Sequence, residues 1–323
     1  MDPITVLVLA DPTEPRLAML EELPPETGIA VGNSAEAFVG AAPDATVILN
    51  WSLIGDLQRE VFRMCPKVEW VHTRSAGLDG LLFPELVESP VRFTNGSGVY
   101  SESLGEFAMG AILYFAKDLR RMIRNQAAGV WEQFDIVEVS GQTMGIVGYG
   151  DIGRAVARRA RALGMRVLGM KRHGPPAGEA DPFAERIYGP EGMVEMIARS
   201  DYVVAAAPLT PETVGLIGVA EIAAMKPDAV FINVGRGPVV QEAALVKALS
   251  EKRIKGAALD VFETEPLPAG HPFYKLENVL LSPHCADHTP DWLDQAMRFF
   301  LAQFERFRKG EPLKNVVDKK LGY

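Results

Sequence analysis

Cysteine is scarce in this sequence: Cys65 and Cys285 are the only two among 323 residues. Two cysteines at this spacing form no disulfide framework and match no metal motif, so we predict reduced thiols and no metal site. The chain also lacks an uninterrupted apolar run of the roughly 18 residues that a membrane helix needs. Its first residues, MDPITVLVLADP, lack a basic leader and a cleavage site. We therefore interpret them as a strand and expect a cytoplasmic protein.

Basic tracts are absent as well, and the formal net charge is −9, from 33 basic and 42 acidic residues. This balance disfavours nucleic-acid partners and favours solubility, while the lack of a long apolar run predicts no membrane partner. Hydrophobic residues make up 48% and charged residues 23%, as in ordinary globular proteins, which excludes disordered and collagen-like classes. The length is sufficient for two domains, each with its own core.

Short apolar runs alternate with helical stretches along the whole chain. ITVLVLA, ATVILN and VEWVHTRSAG read as strands, with LAMLEEL and DLQREVFRM as helices between them. After residue 99, the stretch from SESLGEF to AAGVW predicts one long helix, capped by Ser101 or Ser103 with Glu106 at capping-box spacing. Six further strands with helical crossovers follow. This pattern predicts parallel sheets covered by helices on both faces.

A glycine-rich turn lies between the strand MGIVG and the helix that follows it. Gly148, Gly150 and Gly153 form G-x-G-x-x-G. In a dinucleotide site, these glycines permit a tight turn, close approach of the backbone to a pyrophosphate, and close packing of helix on strand. The helix N-terminus adds a partial positive charge. The alternative is a plain strand-to-helix turn, which this context disfavours.

The end of the next strand bears on which dinucleotide is bound. An NAD site normally has an acid about 20 residues on, to hold the ribose hydroxyls. Here the chain reads Lys171, Arg172, His173. Because two cations attract a 2′-phosphate, we predict NADP as the preferred cofactor, with NAD possible. The alternative is a solvated basic turn that tolerates NAD weakly.

Three stretches after predicted strands carry candidate catalytic groups: FINVGRGPVV has Arg236, ALDVFETEPL has Glu265, and LLSPHCADHT has His284. Arginine clamps carboxylates and polarises carbonyls, histidine transfers protons near neutral pH, and a carboxylate orients a histidine. Together they suit hydride transfer to a 2-oxo acid. Each could instead be a surface or structural residue, but the combination disfavours that reading.

With these motifs in order along the chain, the sequence resembles the D-isomer-specific 2-hydroxyacid dehydrogenases of the formate/glycerate dehydrogenase type. The resemblance implies that Arg236 contacts the substrate, that Glu265 is the partner of His284, and that His284 is the general acid. It implies that backbone N–H groups of Ala76 and Gly77 hold the substrate carboxylate. The residues expected at the cofactor are Gly148, Tyr149, Gly150, Asp151, Ile152, Gly153, Lys171, Arg172, Ala207, Pro208, Thr213, Val234, Gly235 and Asp260.

The fold implied is α/β, with two Rossmann-like, doubly wound parallel-sheet domains and the active-site cleft between them. The substrate domain is expected at 1–98 and 286–323, and the dinucleotide domain at 99–285. A homodimer built on the dinucleotide domain is also implied. Its candidate surface is LGEFAMGAILYFAKDL, although core packing explains that stretch equally well.

Glyoxylate and hydroxypyruvate are the leading substrates by family analogy. The run SPHCADHT departs from the family's commoner PHIAGAT-like pattern, which leaves the substrate open. We interpret His288 as structural or rim-lining and Cys285 as a bystander. Two alternatives stay open: a reductase of bulkier 2-oxo acids, and a dinucleotide-binding corepressor, which the lack of a basic or disordered extension disfavours.

Overall fold

A computed structural model describes residues 3–173 and 180–323. The chain divides into two compact units. One contains Met1–Tyr100 together with Thr289–Tyr323, and the other contains Ser101–His288. Each unit is built on its own parallel sheet.

The strands of the first unit are β1 (Thr5–Leu9), β2 (Gly28–Gly32), β3 (Val47–Asn50), β4 (Trp70–Thr73) and β5 (Arg92–Thr94). Those of the second unit are β6 (Thr143–Val147), β7 (Arg166–Met170), β8 (Arg186–Tyr188), β9 (Tyr202–Ala205), β10 (Val230–Asn233), β11 (Gly256–Leu259) and β12 (Val279–Leu281).

The α-helices are α1 (Gly55–Met64), α2 (Pro84–Glu88), α3 (Ser101–Ala116), α4 (Leu119–Ala128), α5 (Asp151–Ala162), α6 (Met193–Arg199), α7 (Val219–Ala224), α8 (Glu242–Ser250) and α9 (Trp292–Arg308). Short 3₁₀ helices cover Pro15–Glu22, Ala35–Phe38, Ala42–Asp44, Pro190–Gly192, Gly237–Val239 and Pro272–Lys275. Among the helices of the described chain, none has both the length and the apolar character of a membrane span.

The first unit has the strand order β2-β1-β3-β4-β5, and every pair is parallel. Its strands β1, β3 and β4 are almost entirely buried, because helices cover both faces of a parallel sheet. The returning helix α9 packs in this unit, where Phe300 stacks on Trp70 of β4 with ring centroids 5.5 Å apart. Helix α9 is thus part of the core of the first unit.

The second unit has the order β12-β11-β10-β9-β6-β7-β8, again all parallel. The chain runs outward from β6 in one direction through β7 and β8, then crosses back to β9 and runs the other way. The order therefore reverses between β6 and β9. In doubly wound sheets, ligands bind outside the carboxyl ends of the strands at such a reversal. The predicted α/β architecture with two parallel sheets is confirmed.

Several predicted elements were wrong in detail. The single long helix after residue 99 is two helices, because Asp118 adopts a left-handed backbone (φ 48°) and its side chain accepts from the Arg121 N–H to cap α4. LAMLEEL lies in a 3₁₀ helix that begins at Pro15. The second sheet has seven strands rather than six, since the three-residue β8 extends its edge.

Helix α3 packs closely against α5. A Cβ on Gly105 would lie 3.1 Å from Nη1 of Arg159 and 3.2 Å from the Ala155 carbonyl carbon, so glycine permits this approach. Leu104, Ala108 and Ile112 on α3 are buried. The stretch LGEFAMGAILYFAKDL is therefore mostly core of its own unit, which favours the packing explanation over the predicted dimer surface.

Candidate active site

The glycine-rich turn lies at the carboxyl end of β6, at the reversal of strand order. Gly148 has φ 95°, and a Cβ there would lie 2.4 Å from the backbone nitrogen of Ala207. A Cβ on Gly153 would lie 2.5 Å from the Gly148 oxygen. Only glycine fits at either position. A Cβ on Gly150 would meet open space instead, which leaves room for a ligand over the turn.

Helix α5 starts at this turn with Asp151 and Ile152 in its first turn, after Gly150 as N-cap. Glycine offers no side chain to satisfy the first N–H groups of the helix, so they can bind an anion. The backbone N–H groups of Gly148 and Tyr149 donate to Met170 O at 3.1 and 2.8 Å, which fixes the turn against the end of β7. The turn therefore fits the pyrophosphate of a dinucleotide.

The ends of β9 and β10 border the same turn. Ala207 is buried and Pro208 is exposed after β9, and Val234 is buried after β10. A Cβ on Gly235 would lie 2.8 Å from the Ala207 oxygen, so the two strand ends approach closely. Thr213 accepts from the Thr210 N–H at 2.7 Å and donates to Pro208 O at 2.7 Å. Its hydroxyl therefore holds the loop after β9 through these two hydrogen bonds.

The basic residues predicted to select the dinucleotide follow β7 directly. Lys171 and Arg172 are exposed, and the Lys171 N–H donates to Tyr188 O at 3.0 Å. Arg172 reaches Glu212 in the loop after β9, with Nη2 and Oε1 3.7 Å apart. The basic turn therefore lies one residue from the carbonyl that binds the glycine-rich turn, on the side where a ribose would lie.

A buried polar cluster beside this turn was missed by the sequence reasoning. Tyr149 donates its hydroxyl to Oδ1 of Asp181 at 2.7 Å, and Oδ2 of Asp181 is paired with Arg154 of α5. Burial acts to raise the pKa of Asp181, but hydrogen bonds from Tyr149 and two backbone N–H groups lower it on balance. Burial, followed by the bond to Asp181, raises the pKa of Tyr149. No sequence motif announces this cluster, since 32 residues separate Tyr149 from Asp181.

The predicted histidine and carboxylate meet in the structure. Nδ1 of His284 lies 2.6 Å from Oε2 of Glu265, while Oε1 of Glu265 accepts from the Phe262 N–H at 2.9 Å. Their side chains are 42% and 34% exposed, so the ring remains accessible from one side. With Nδ1 held by the carboxylate, Nε2 is the nitrogen that can exchange a proton with a substrate.

Asp260 holds the loop that carries His284. It is 2% exposed, and its Oδ1 accepts from the Ser282 hydroxyl at 2.5 Å, the Cys285 N–H at 2.9 Å and the Ala286 N–H at 3.1 Å. Ser103 of α3 adds a bond to Ala286 O at 2.7 Å. The position predicted to contact the cofactor therefore also fixes the backbone on both sides of His284.

Arg236 follows β10 in a turn that touches the loop carrying Glu265. A Cβ on its neighbour Gly237 would lie 1.9 Å from the carbonyl carbon of Phe262. Nη1 of Arg236 donates to Gly235 O at 2.8 Å. The turn after β10 and the loop after β11 are thus in direct contact, which brings the predicted arginine and carboxylate to one edge of the sheet.

The residues after His284 contain a second acid. Burial is the main cause that raises the pKa of Asp287, and the charge of Asp260 acts in the same direction, against His288 and His284. Oδ1 of Asp287 lies 3.7 Å from Nε2 of His288. The sequence reasoning noticed His288 but missed Asp287. The signal in the sequence was the run SPHCADHT, which departs from the family's PHIAGAT-like pattern in the residues after His284.

A cavity of about 660 Å³ opens beside His284, large enough for a small ligand. Its lining is mostly apolar: Phe262, Glu265, Pro266, Leu267, Tyr274, Leu281, Ser282, Pro283 and His284.

The predicted substrate-carboxylate loop belongs to the first unit. The carbonyl groups of Ala76 and Gly77 accept from Asn95 Nδ2 and from the Ser75 hydroxyl, each at 2.7 Å. Within residues 3–173 and 180–323, their backbone N–H groups have no hydrogen-bond partner. The loop can therefore donate to an anion, and its assignment to the substrate carboxylate stays a prediction.

Comparison with known proteins adds an independent line of support. The model of the D-isomer specific 2-hydroxyacid dehydrogenase NAD binding domain matches residues 109–286. The glyoxylate reductase of Korarchaeum cryptofilum is 35% identical over 84% of this chain and 82% of its own. The D-3-phosphoglycerate dehydrogenase of Methanocaldococcus jannaschii is 31% identical over 97% of this chain, which spans 59% of that longer protein.

Comparison with solved structures supports the same family. A D-isomer specific 2-hydroxyacid dehydrogenase from Xanthobacter autotrophicus Py2, in complex with NADPH and MES, has a TM-score of 0.85 at 30% identity, covering all of both chains. An NADPH-dependent glyoxylate/hydroxypyruvate reductase from Sinorhizobium meliloti, in complex with NADP and sulfate, has a TM-score of 0.82 at 26% identity with the same coverage. The chain belongs to the D-isomer specific 2-hydroxyacid dehydrogenase family and is an NAD(P)-dependent oxidoreductase acting on the CH–OH group of 2-hydroxy acids.

Proposed function

We propose that this protein is an NADPH-dependent reductase of a small 2-oxo acid, glyoxylate or hydroxypyruvate. The observation that carries the proposal is the hydrogen-bonded pair of His284 and Glu265, 2.6 Å apart at the edge of the sheet that carries the glycine-rich turn. The basic pair Lys171 and Arg172 after β7 sets the cofactor choice.

Each catalytic side chain has a distinct task. The glycine-rich turn and the start of α5 would hold the dinucleotide, which would supply a hydride when bound. His284 gives the proton on Nε2 to the oxygen that becomes the hydroxyl, while Glu265 holds Nδ1 and so fixes the orientation of the ring. Arg236 binds the substrate carboxylate and polarises the carbonyl. The N–H groups of Ala76 and Gly77 supply further donors to that carboxylate.

The preference for NADPH follows from charge. Lys171 stands where an NAD site would place its acid, so there is no carboxylate at that position to bind the ribose hydroxyls or repel a 2′-phosphate. Lys171 and Arg172 are both exposed and can reach such a phosphate. The relative from X. autotrophicus was solved with NADPH and the one from S. meliloti with NADP, which supports the same preference here.

We also propose a homodimer, built on residues 119–136 rather than on α3. Helix α4 has no buried residue, yet Ile123 is 64% exposed, and Trp131, in the stretch after the helix, is 95% exposed. A second copy of the chain would cover these apolar side chains. A cytoplasmic location also stays a prediction of the sequence.

The test is consumption of NADPH and of NADH, side by side, with glyoxylate and with hydroxypyruvate at neutral pH. The expected result is turnover with NADPH and a lag of at least about tenfold with NADH, a difference of about 1.4 kcal/mol. The His284→Gln variant ties turnover to the site, because loss of general acid catalysis typically costs about 10²- to 10⁴-fold.

Other outcomes have defined meanings. NADH use equal to or better than NADPH use refutes the cofactor preference. Failure of both small substrates, with turnover of branched or aromatic 2-oxo acids, replaces the substrate proposal by the bulkier class. Turnover that survives in His284→Gln refutes the assignment of the general acid.

A further inference from the structure

We propose that Arg154 is a third cation of the surface that binds the 2′-phosphate, and that Asp181 is the positioning residue that aims it. This inference deepens the proposed NADPH preference and rests on it. It concerns the buried cluster beside the glycine-rich turn, in which Tyr149, Arg154 and Asp181 meet.

Arg154 is one residue past the last glycine of G-x-G-x-x-G, in the first turn of α5. Its backbone N–H donates to Gly150 O at 2.8 Å, which fixes it over the turn that fits the pyrophosphate. Its side chain is 44% exposed, so the guanidinium is accessible to solvent and to a ligand. A guanidinium offers five N–H donors in a fork that suits phosphate.

The carboxylate of Asp181 is buried, and both of its oxygens have partners. Its side chain is 6% exposed, and Oδ1 accepts from the Tyr149 hydroxyl at 2.7 Å and from the N–H groups of Phe183 and Ala184 at 2.9 and 3.0 Å. Oδ2 pairs with Arg154. Since three neutral donors already stabilise this carboxylate, it can orient the guanidinium without presenting its own negative charge to a phosphate.

The cluster is tied to the strand that leads into the basic turn. A Cβ on Gly169 of β7 would lie 2.6 Å from the ring of Tyr149, so glycine makes room for that ring. The Tyr149 N–H donates to Met170 O, and Lys171 is the next residue. Tyr149 therefore bridges the glycine-rich turn and β7, and its hydroxyl locates Asp181 and hence Arg154 on the side of Lys171.

A third cation has a physical purpose at this place. Arg172 lies 3.7 Å from Glu212, so part of its charge is compensated across the loop after β9. Such an exposed pair is weak, so a phosphate can take the place of Glu212 as the partner of Arg172. The negative charge of Glu212 still repels the phosphate. Arg154 comes instead from α5, and its partner carboxylate, Asp181, is buried. Arg154 can therefore add N–H donors for a phosphate from a second element, on a guanidinium that is 44% exposed and held in place by Asp181.

The experiment measures the Kd of NADPH and of NADH for the intact protein by fluorescence titration and calorimetry. We expect Arg154→Gln to weaken NADPH binding about tenfold or more and NADH binding less than about threefold, because only NADPH carries the 2′-phosphate. Arg154→Lys should lie between, since it keeps the charge but loses the fork. Asp181→Asn should reduce the ratio of the two affinities in the same direction.

Glu185→Gln is the matched control. Glu185 is an acid four residues past Asp181 that pairs with Arg161 and Arg166 at 3.5 and 3.2 Å, on the exposed surface. Its variant should leave both Kd values unchanged. Equal weakening of both cofactors in Arg154→Gln and Arg154→Lys would mean that the cluster only stabilises the turn, and no change in either would mean that Arg154 does not reach the phosphate.

Failure of this inference and failure of the proposed cofactor preference give different results. A wild-type protein that binds NADH as tightly as NADPH refutes the preference, and the role of Arg154 with it. The other case is a wild type that prefers NADPH, with that preference abolished in Lys171→Ala and Arg172→Ala but retained in Arg154→Gln. This result refutes only the role of Arg154.

Discussion

At the scale of single residues, the active site depends on groups that hold other groups. His284 has φ 53°, in the left-handed region that L-residues adopt at a cost. Three hydrogen bonds to Oδ1 of Asp260, one from the Ser282 hydroxyl and two from the backbone N–H groups of Cys285 and Ala286, offset that cost. The hydrogen bonds of the loop therefore fix the backbone that carries the imidazole, and Glu265 then holds the ring through Nδ1.

A different histidine lies in the core of the first unit. His72 of β4 is 1% exposed, its Nδ1 lies 2.7 Å from the Thr94 hydroxyl, and Nε2 is buried without a hydrogen-bond partner among the described residues. Burial lowers the pKa of His72 to about 3, from an ordinary value of 6.5. A second proton on this buried ring would not be stabilised at Nε2, which has no acceptor among the described residues, so the folded state keeps the ring neutral.

This histidine predicts an acid-sensitive first unit. Above pH 6.5 both states are neutral at His72, and its contribution to stability is fully present. As the pH falls from 6.5 toward 3, only the unfolded state binds the proton, so the free energy of unfolding drops by about 1.4 kcal/mol per pH unit. Between pH 7.5 and pH 5 we expect a loss of about 2 kcal/mol, measured by urea unfolding.

The variant His72→Phe should lose that part of the pH dependence, because it keeps a ring beside Phe299 and Phe300 but cannot titrate. Phe300→Leu is the control: it disturbs the same ring cluster and should lower stability equally at both pH values. An acid sensitivity of His72→Phe identical to that of the wild type would contradict the prediction.

At the scale of elements, the proposed catalytic groups lie at one edge of the sheet because two loops are in contact. The turn after β10 carries Arg236 and the loop after β11 carries Glu265, and Gly237 lies against Phe262 at their crossing. Adjacent parallel strands bring their carboxyl ends to one edge, but only the missing side chain at Gly237 lets the two backbones touch. The contact sets the separation of the arginine from the carboxylate.

We therefore expect Gly237→Ala to be damaging. The added Cβ would lie 1.9 Å from the Phe262 carbonyl, which forces the loops apart. Overpacking of this kind costs about 1–3 kcal/mol, and misplacement of Arg236 and Glu265 should lower kcat more than about tenfold. Steady-state kinetics and thermal unfolding test both effects.

Gly110→Ala is the matched control for that variant. Gly110 lies within α3, and a Cβ there meets nothing within 4 Å. Alanine in a helix interior should raise stability by about 0.5–1 kcal/mol and leave kcat unchanged. A Gly237→Ala enzyme with wild-type kcat would show that the two loops adjust without moving their catalytic groups.

At the scale of the whole molecule, one stretch of the second unit is apolar and uncovered. Six side chains of residues 119–136 are large, hydrophobic and exposed: Leu119, Met122, Ile123, Val130, Trp131 and Ile136. Isolated exposed hydrophobic residues are normal, but six within one stretch of chain fit the homodimer surface proposed above. A symmetric dimer would bury the same stretch from both copies.

We expect the protein to sediment as a dimer and the double variant Ile123→Glu, Trp131→Glu to sediment as a monomer, because two buried charges would oppose association. Val39→Glu is the control, since Val39 is 62% exposed in the first unit and should not affect assembly. A monomeric wild type, or a double variant that stays dimeric at the same concentration, would contradict the proposed surface.

The sequence by itself determined the features that local chemistry dictates. Alternating strands and helices required parallel sheets, and the spacing of Gly148, Gly150 and Gly153 required a tight turn into a helix. The types of residue at 236, 265 and 284 indicated proton transfer and carboxylate binding. These are properties of short segments, which is why a linear reading finds them.

Tertiary structure alone decided how distant segments meet. It placed Glu265 against His284, gave Asp260 three donors from the loop around His284, and joined Tyr149, Arg154 and Asp181 into one buried cluster. It also left large apolar side chains of residues 119–136 exposed. Burial and hydrogen-bond partners depend on chain segments far apart in sequence, and no periodicity or motif records them.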